Sequence, residues 1–495
     1  MAFSIDRLLN NVTMYRLLAY ALGVFSAAGV ALGFFGQMSV SGWAMLGSLA
    51  ILCIACIGSN RLFSRIMGAA ENAESSLITA LILFLILFPA DTVGGYALIA
   101  FAGILATASK YLLTISNRHV LNPAAVGAVA IGLMGWGSGW WVANAYLFPV
   151  VLIGGLLVAR KTRRVLVVVV FTFAAFVSIY VSSRMAGIDL SVADLVSRGL
   201  FSWPIVFFGT IMLTEPLSLP PSRSWQVVEA ALLGLAFALS FQIGPVHSTP
   251  ALILLLGNLF ALADGIKRTY RLRFVEKLEL APGIYDYLFS SDRPVRFVPG
   301  QYIETTLPAV QSDARGNRRT FSISSSPGDA LVRLGIRMPE RPSGYKRALQ
   351  VMKPGDLLVG SNVGGEFVLP KDPRVKLAFI AGGIGITPFR SMLQDMMDRK
   401  EARDVVLFYA CKASSDFVYR DVFDKASGIG LRVSYVATDR DGRLAKEDIT
   451  AKAPDCRERH FYLSGPNAMV DSYRTLLRGM GVPSRNIHTD YFPGY

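Results

Sequence analysis

Ten apolar runs fill the first 266 residues of the chain and restrict this region to a helical membrane fold. Backbone polar groups inside a bilayer need partners within the protein, and an α-helix supplies them within one segment. A span needs about 20 apolar residues, so the runs at 77–89, 123–134 and 201–213 predict broken or re-entrant helices. The ten runs are 14–35, 40–58, 77–89, 94–113, 123–134, 145–159, 165–181, 201–213, 227–241 and 250–266.

The charges between these runs alternate from loop to loop. The loops near residues 37, 91, 138 and 244 hold almost no cations, whereas the other loops are rich in arginine and lysine. This asymmetry predicts ten spans of an inner cell membrane with both chain ends in the cytoplasm. The cations that follow the pattern are Arg7, Arg16, Arg61, Arg65, Lys110, Arg118, Arg160, Lys161, Arg163, Arg164, Arg223, Lys267, Arg268, Arg271 and Arg273. Arg184 and Arg198 depart from it.

The composition also favours a membrane protein over a nucleic-acid-binding one. The chain is 53% hydrophobic, while its formal charge is +14, and much of the amino-terminal excess lies in the loops between apolar runs. We therefore expect no nucleic-acid partner. The four cysteines show no spacing pattern in the soluble part, which argues against a disulfide scaffold, a cysteine-ligated iron–sulfur cluster and any other metal site there.

Two polar stretches, 116–126 and 210–222, interrupt the apolar pattern on the predicted cytoplasmic side. Asn122 precedes a proline, as expected for a capped helix start, which is one interpretation. The other is a pair of helix ends that face a cofactor or an ion, because ionisable residues at membrane depth are costly and usually functional. The candidate residues of this region are His119, Asn122 and Glu215.

The segments RHVLNPAAVGAVAIGL and IMLTEPLSLPPS, together with the ten-run layout, resemble the membrane subunits RnfD and NqrB of sodium-pumping NADH and ferredoxin oxidoreductases. The resemblance covers about residues 111–222 and implies FMN or a quinone in the membrane domain. That family's Ser-Gly-Ala-Thr motif, whose threonine holds a covalent FMN, has no match here, so an FMN is held noncovalently or is absent. The bis-histidine haem of ferric reductases is excluded, because His119 and His247 lie in loops at opposite faces.

The stretch LAFIAGGIGITPFRSML, residues 377–393, predicts a strand, a glycine turn and a helix. Glycines let the backbone approach a ligand closely, and a helix N-terminus offers free N–H groups to a phosphate. An ordinary tight turn between strand and helix is the alternative for this motif alone. The candidate phosphate-binding residues are Gly382, Gly383, Gly385, Thr387 and Pro388.

Alternating β-branched and aromatic residues over 273–289 and 295–307, punctuated by Pro299-Gly300 and Pro327-Gly328, predict an antiparallel barrel of several short strands that ends near residue 370. This region contains the segment Arg319-Thr320-Phe321-Ser322-Ile323-Ser324. The arginine can bind a pyrophosphate, the aromatic ring can pack on an isoalloxazine, and the hydroxyl can reach the N5 edge of that ring. Alone, the segment also fits an ordinary alternating strand.

RTFSIS resembles the Arg-x-Tyr-Ser motif of the ferredoxin–NADP reductase superfamily, with Phe321 in place of tyrosine. SGYK (343–346), AGGIGITP (381–388), SGP (464–466) and the aromatic tail resemble that superfamily's second FAD-phosphate loop, pyridine-nucleotide loop, nicotinamide turn and flavin lid. The resemblance implies catalytic roles for Ser322, Ser464 and Phe492. It implies cofactor binding by Arg319, Thr320, Phe321, Ser322, Arg337, Ser343, Gly344, Tyr345, Lys346, Gly382, Gly383, Gly385, Thr387, Pro388, Gly465, Pro466 and Tyr495.

The expected architecture is a multi-domain chain: an RnfD/NqrB-like α-helical membrane domain (1–266), an FAD-binding barrel (267–372) and an α/β NAD(P)-binding domain (373–495). The resemblances imply hydride transfer from NADH or NADPH to FAD. The electrons would continue into or across the bilayer to a quinone, a bound flavin or a partner redox protein. Two alternatives are a redox-driven or redox-regulated ion transporter and a membrane-anchored reductase of a soluble acceptor such as ferredoxin.

Overall fold

The computed structural model of the chain separates into two compact units, Met1–Lys267 and Arg268–Tyr495. It describes residues 12–67, 73–115, 118–137, 139–216, 218–220, 222–244, 246–264, 269–307 and 318–492.

In the amino-terminal unit, each of the ten apolar runs contains a helix. One helix that the sequence does not predict, Val192–Phe201, precedes the eighth helical run and is only weakly apolar. The helices are α1 Met14–Phe34, α2 Gly42–Ile66, α3 Ala73–Ile86, α4 Val93–Leu112, α5 Pro123–Gly132, α6 Phe148–Lys161, α7 Val165–Met185, α8 Val192–Phe201, α9 Ile205–Phe207 (continued by a π-helix, Phe208–Met212), α10 Arg223–Ala236 and α11 Pro250–Ala261.

The lengths of these helices support fewer full spans than the sequence predicts. Within the described residues, α1, α2, α4 and α7 are long and apolar enough to cross a membrane. Helix α8 and the segment Ile205–Met212, bent by 59° at their break, form a fifth candidate. Helices α3 and α5 and this bent pair coincide with the three runs predicted to be broken.

The helical unit consists of two halves with the same order of elements. Helices α1–α5 form the first half, and α6–α11, with α8 as an insertion, form the second. In each half, a two-residue hairpin precedes a helix that starts with proline. The hairpins are β1 Thr114–Ile115 with β2 Arg118–His119, and β3 Gln242–Ile243 with β4 Val246–His247. Asn122 caps α5 and Thr249 caps α11, each accepting a backbone N–H in the first turn.

The loop between the two halves covers the buried carboxyl end of α3. The last carbonyl oxygens of a helix have no partner within the helix and are costly to bury without one. Here the indole Nε1 of Trp141 donates to Phe84 O at 2.6 Å, and the backbone N–H of Trp140 donates to Ile86 O at 3.0 Å. The backbone N–H of Val142 donates to Leu85 O. The loop therefore replaces the turn of helix that α3 lacks.

The carboxy-terminal unit combines an antiparallel barrel with a parallel sheet. The barrel strands are β5 Thr269–Ala281, β6 Ile284–Ser291, β7 Tyr302–Thr306, β8 Arg318–Ser322, β9 Val332–Arg337 and β10 Leu357–Gly364, in the order β8-β7-β10-β5-β6-β9. The parallel strands are β11 Leu377–Gly382, β12 Val405–Cys411, β13 Leu431–Ala437, β14 His460–Pro466 and β15 Ile487–Phe492, in the order β13-β12-β11-β14-β15. The helices are α12 Gly344–Gln350, α13 Thr387–Asp398, α14 Arg420–Ala426, α15 Lys446–Lys452 and α16 Asn467–Gly479.

The structure has the predicted antiparallel-then-parallel order, and the alternating stretch 295–307 is divided at its Pro-Gly pair. Only Tyr302–Thr306 is a strand there, because the Pro-Gly pair before it forms a turn with Gly300 at φ +95°. The central parallel strands β11 and β12 are buried at every residue, as expected for a sheet covered on both faces. Ligands of such sheets bind at the carboxyl ends of the strands.

At the amino ends of the parallel strands, a buried arginine binds groups from several segments of the chain. The guanidinium of Arg459, 2% exposed, donates to the carboxylates of Asp404 and Asp455 and to Leu377 O at 3.0 Å. Burial alone would raise the pKa of Asp455, but the hydrogen bonds from Arg459 and Lys376 hold that pKa at about 2. Because this pKa is depressed by folding, its stabilising contribution is present above about pH 4 and is lost as pH falls towards 2.

We expect Arg459→Met to lower the free energy of unfolding of the carboxy-terminal unit by about 2–4 kcal/mol, because two carboxylates and a carbonyl lose a buried cation. Pulse proteolysis of the full chain along a urea series measures the change. Arg474→Met is the matched control, since Arg474 pairs with Asp471 at the surface and should cost less than about 1 kcal/mol. Equal midpoints for the two variants would contradict the prediction.

Candidate functional site

Two glycine turns meet at the carboxyl ends of β11 and β14. Gly383 has φ +54° and Gly465 has φ +155°, which are conformations that favour glycine. A Cβ added at Gly385 would lie 2.7 Å from the Cα of Gly465 and would collide with the Ser464 carbonyl. The predicted phosphate loop and the predicted nicotinamide turn are therefore in direct backbone contact.

The helix α13 starts at this contact, as the sequence predicts. Pro388 occupies its first turn, and Thr387 Oγ1 donates to Ile384 O at 3.1 Å. Gly382, at the end of β11, faces Met469 of α16, whose sulfur would clash with any added Cβ. Pro466 is the last residue of β14. The first turn of α13 thus begins directly beside the two glycine turns.

Two buried hydroxyls at the predicted hydride path have no hydrogen-bond partner in the part of the chain that the structure describes. They are the Oγ atoms of Ser322, 3% exposed, and Ser464, fully buried. A buried hydroxyl without a partner costs free energy, so each indicates a polar group of a ligand. Both residue types and positions fit a flavin and a nicotinamide, the groups that the sequence predicts here.

The barrel side of the site is built around Arg319 on β8. Its guanidinium donates to Arg318 O at 2.6 Å and lies 5.2 Å from the ring centroid of Tyr345. The ring of Phe321 lies 6.1 Å from the same tyrosine ring. The Tyr345 hydroxyl shares a 2.6 Å hydrogen bond with Thr305 Oγ1, and burial raises the pKa of Tyr345. Tyr345 thus packs inside the barrel beneath the predicted flavin-binding strand.

The remaining predicted cofactor residues of the barrel lie on β8, on β9 and at the start of α12. Ser343 Oγ caps the short helix α12, whose first residue is Gly344, by accepting the Lys346 N–H at 3.3 Å. The ammonium of Lys346 donates to Arg337 O at 3.0 Å, and Arg337 Nη2 pairs with Asp416 at 3.1 Å. Thr320 is exposed on β8.

The predicted flavin lid falls at the limit of the description. Phe492 ends β15, with its backbone paired to Pro466, and Tyr495 lies outside the described residues.

Sequence reasoning missed a buried network that joins the barrel to the parallel-sheet part of this unit. The Tyr419 hydroxyl donates to Asp286 Oδ1 at 2.5 Å, and Arg333 lies 3.4 Å from Asp286 Oδ2. Arg390 Nη1 donates to Ser324 O, next to the RTFS strand. Burial raises the pKa of Asp286, and Tyr419, Arg390 and Arg333 partly offset that effect. The available signal was an aspartate in the middle of an otherwise apolar strand.

In the helical unit, the three predicted residues come together in one polar cluster. Glu215 Oε1 lies 2.9 Å from His119 Nε2, and Asn122 Nδ2 donates to Glu215 Oε2 at 2.7 Å. Ser218 Oγ donates to the same oxygen at 3.2 Å, and the Asn122 N–H donates to Asn258 Oδ1 at 2.8 Å. We call these five residues the Glu215 cluster. It joins the start of α5, the break after the π-helix and the later turns of α11.

Cations surround the Glu215 cluster. Lys110, at the end of α4, is close enough to interact electrostatically with Glu215, and its ammonium donates to Ser75 O at 2.9 Å. Arg164 donates to Thr214 O, the residue before Glu215. Sequence reasoning missed Ser218 and Asn258, although an asparagine within an apolar helix was a usable signal. Asn122 caps α5, as the first interpretation expects, and it also donates to Glu215. That these helix ends face a cofactor or an ion stays a prediction.

Comparison with known proteins identifies oxidoreductases that are similar to part of this chain. The family model for the oxidoreductase NAD-binding domain matches residues 379–475. The phenol hydroxylase P5 protein of Acinetobacter pittii is 27% identical over 235 residues, which is 45% of this chain and 65% of that protein. The NADPH oxidoreductase of Mycobacterium tuberculosis is 30% identical over 203 residues, or 40% of this chain and 52% of that protein. The chain thus spans about half to two thirds of the length of these relatives.

Among solved structures, the Amycolatopsis cytochrome P450 reductase GcoB aligns with a TM-score of 0.40 and 21% identity, covering 46% of this chain and 71% of that one. The FAD/NAD-binding domain of the Vibrio cholerae nitric oxide dioxygenase aligns with a TM-score of 0.40 and 19% identity, covering 46% and 98%. The family model and the curated relatives show that this chain is an oxidoreductase. Residues 379–475 of its carboxy-terminal unit match the oxidoreductase NAD-binding domain.

Proposed function

We propose that the chain is a membrane-bound flavin oxidoreductase that takes a hydride from NAD(P)H and passes the electrons to an acceptor in the membrane. The observation that carries this proposal is a pair of buried, unpartnered hydroxyls in the described residues, one on Ser464 at the contact of two glycine turns and one on Ser322 in the predicted flavin-binding strand. The same chain carries a separate unit of long apolar helices. A reductase site and a helical membrane unit on one chain suggest an acceptor that lies in or at the bilayer.

The roles of the reductase residues follow from their placement. FAD, when bound, supplies the hydride-accepting and electron-releasing chemistry. Arg319 would bind its pyrophosphate, and Ser322 and Ser464 would orient the two reacting rings through their free hydroxyls. The turn Gly382–Gly385 and the first turn of α13 would hold the dinucleotide phosphates with backbone N–H groups. The tail from Phe492 to Tyr495 would cover the flavin until nicotinamide enters.

For the membrane unit, we propose ten membrane segments with both ends cytoplasmic, in the arrangement that resembles RnfD and NqrB. The alternating loop charges support this topology. In this topology the Glu215 cluster lies on the cytoplasmic side, where it would serve a bound FMN, a quinone or a partner redox protein. The polar contacts of Glu215 with both halves support a functional role for this junction.

One observation favours a second candidate, a redox-driven ion transporter. The two halves repeat the same order of elements, and each contains a short or bent helix that ends inside the unit. Repeats with broken helices are typical of secondary transporters. Dependence of NADH oxidation on a particular cation in sealed vesicles would support this candidate.

The test is a flavin count followed by an acceptor assay on detergent-purified protein. One equivalent of FAD with no FMN would leave a quinone site or an anchor, whereas FAD with FMN would support an electron path through the membrane unit. Reconstituted vesicles then receive NADH and a quinone. Quinone reduction by the full chain, but not by a fragment of residues 268–495 that still reduces ferricyanide, supports the proposal. Equal rates for both would overturn it in favour of a simple anchor.

A further inference from the structure

Two of the four histidines of the chain meet on the parallel sheet of the carboxy-terminal unit. His460 is the first residue of β14, and His488 is the second residue of β15. Nδ1 of His460 lies 3.2 Å from Nε2 of His488. Both residues are near the amino ends of their strands, whereas the glycine turns are at the carboxyl ends.

The two rings lie end to end rather than face to face. Their centroids are 5.4 Å apart and their planes differ by 19°. That centroid distance is close to the nitrogen–nitrogen distance plus two ring radii, so the facing nitrogens lie nearly on the line between the centroids. The N–H of one imidazole therefore lies in line with the lone pair of the other. This geometry is a hydrogen bond that needs one donor and one acceptor.

The surroundings favour the neutral form of both rings. Burial lowers the pKa of His460, and the nearby Arg485 lowers it further. Burial lowers the pKa of His488 too, and His460 adds to this effect. Tyr462 stacks on the face of His488 with its centroid 4.5 Å away, and its hydroxyl donates to Val368 O. In the neutral pair, one N–H hydrogen lies between the two facing nitrogens. A second hydrogen on the other facing nitrogen would break this hydrogen bond.

Other charged groups near the pair are engaged elsewhere. The His460 backbone N–H donates to Lys376 O, while the Lys376 ammonium binds the carboxylates of Asp455 and Glu458. Arg403 acts electrostatically on Tyr462 and pairs with Glu401. Arg485 is therefore the charge that acts on the pair directly, and it opposes protonation.

The histidine pair holds an edge strand that continues to the predicted hydride path. Strand β15 is the edge strand of the parallel sheet and, among the described residues, pairs with β14 alone. Two residues after His488, Asp490 pairs with Ser464, whose hydroxyl is one of the two free ones at the reductase site. A change in how β15 is held at His488 therefore acts only two residues away from the pairing of Asp490 with Ser464.

We propose that the His460–His488 pair is an acid-sensitive fastening of the edge strand β15, which holds while the pair carries at most one proton and releases the strand when both rings are protonated. Two facing N–H groups cannot bond to each other, and two adjacent imidazolium charges repel. The released state binds more protons than the fastened one, so its population rises by up to about tenfold per pH unit as the pH falls below about 6.

The test is hydrogen–deuterium exchange of the full chain, read by mass spectrometry between about pH 7.5 and pH 5.5 and corrected for the chemical rate. We expect the protection of a peptide over 484–492 to fall about tenfold more than that of a peptide over 405–411, which forms the central strand β12. The measurement needs no bound cofactor and no turnover. Its outcome is therefore independent of the proposed function.

His488→Gln and His460→Gln should each strongly reduce the pH dependence, whatever they do to the protection itself, because two facing imidazolium rings can no longer form and the amide oxygen can accept from the remaining ring. His247→Gln is the matched control, since this histidine lies in the hairpin β3–β4 of the other unit and should leave the response unchanged. Protection of 484–492 that does not depend on pH would overturn the proposal. So would an undiminished response in both glutamine variants.

Discussion

Gly385→Ala should lower the rate of flavin reduction by NAD(P)H about 100-fold, because a small displacement of reacting groups costs about that much. The added Cβ would collide with the carbonyl of Ser464 and press on the backbone of Gly465. These are backbone atoms that no side-chain rotation can move aside. The turn after β11 must therefore shift away from the end of β14, and the two cofactor rings lose their relative orientation. Stopped-flow absorbance of the bound flavin measures the rate directly.

Gly428→Ala is the matched control for this experiment. Gly428 is an exposed glycine of the same unit, and a Cβ added there meets no atom within 4 Å. The control should reduce flavin at the parental rate. FAD content should remain near one equivalent in both variants, since the resemblance assigns Gly385 to the pyridine-nucleotide loop and not to the FAD-binding segments. If the two variants reduce flavin equally fast, the contact of the two glycine turns has no role in hydride transfer.

Glu215→Gln should lower quinone reduction in vesicles by about 10- to 100-fold, because buried donors lose their acceptor at about 1–3 kcal/mol. The carboxylate accepts from Asn122 and Ser218 on one oxygen and bonds His119 through the other. A glutamine keeps the volume but presents an NH₂ group where the second acceptor oxygen stood. The junction between the two halves must then rearrange. NADH oxidation with ferricyanide should stay unchanged, because the reductase site is in the other unit.

Glu74→Gln serves as the comparison, since Glu74 pairs with Arg16 in a half-exposed position of the same helical unit. Its expected effect is small, as for other surface ion pairs. A normal quinone rate in Glu215→Gln would remove the Glu215 cluster from the electron path. A loss of both quinone and ferricyanide activity would instead indicate a folding defect.

The sequence was most informative where a short stretch determines its own conformation. The glycine turn after β11 is an example, because a strand, three glycines and a helix start stand within a dozen residues. His119, Asn122 and Glu215 were singled out in two separate polar stretches, since prolines and ionisable residues stand out among apolar helices, and the structure brings the three residues into contact. Their roles remain predictions.

Contacts between distant segments were not predictable in the same way. Asp286 and Tyr419 are 133 residues apart, and nothing local to either residue names the other. Helix α8 was missed because Asp194, Ser197 and Arg198 interrupt its apolar pattern, so the run predicted to be broken was placed only at 201–213 although the bent pair begins at Val192. Helix lengths likewise depend on where the protein supplies partners for free carbonyls. Trp140 and Trp141 do so for α3, and no local pattern announces it.

The way that the loop 140–142 closes α3 fixes where one half of the helical unit ends and the other begins. Those three residues satisfy carbonyls of the first half, so they belong to it although they follow its last helix. The seam therefore falls between Val142 and the start of α6 at Phe148. A gene divided at this seam would encode two polypeptides, and the first would already contain the residues that bind the last carbonyls of α3. Their reassembly in one membrane would depend on side-chain packing and on the hydrogen bonds of the Glu215 cluster, and not on the peptide bond that joins them.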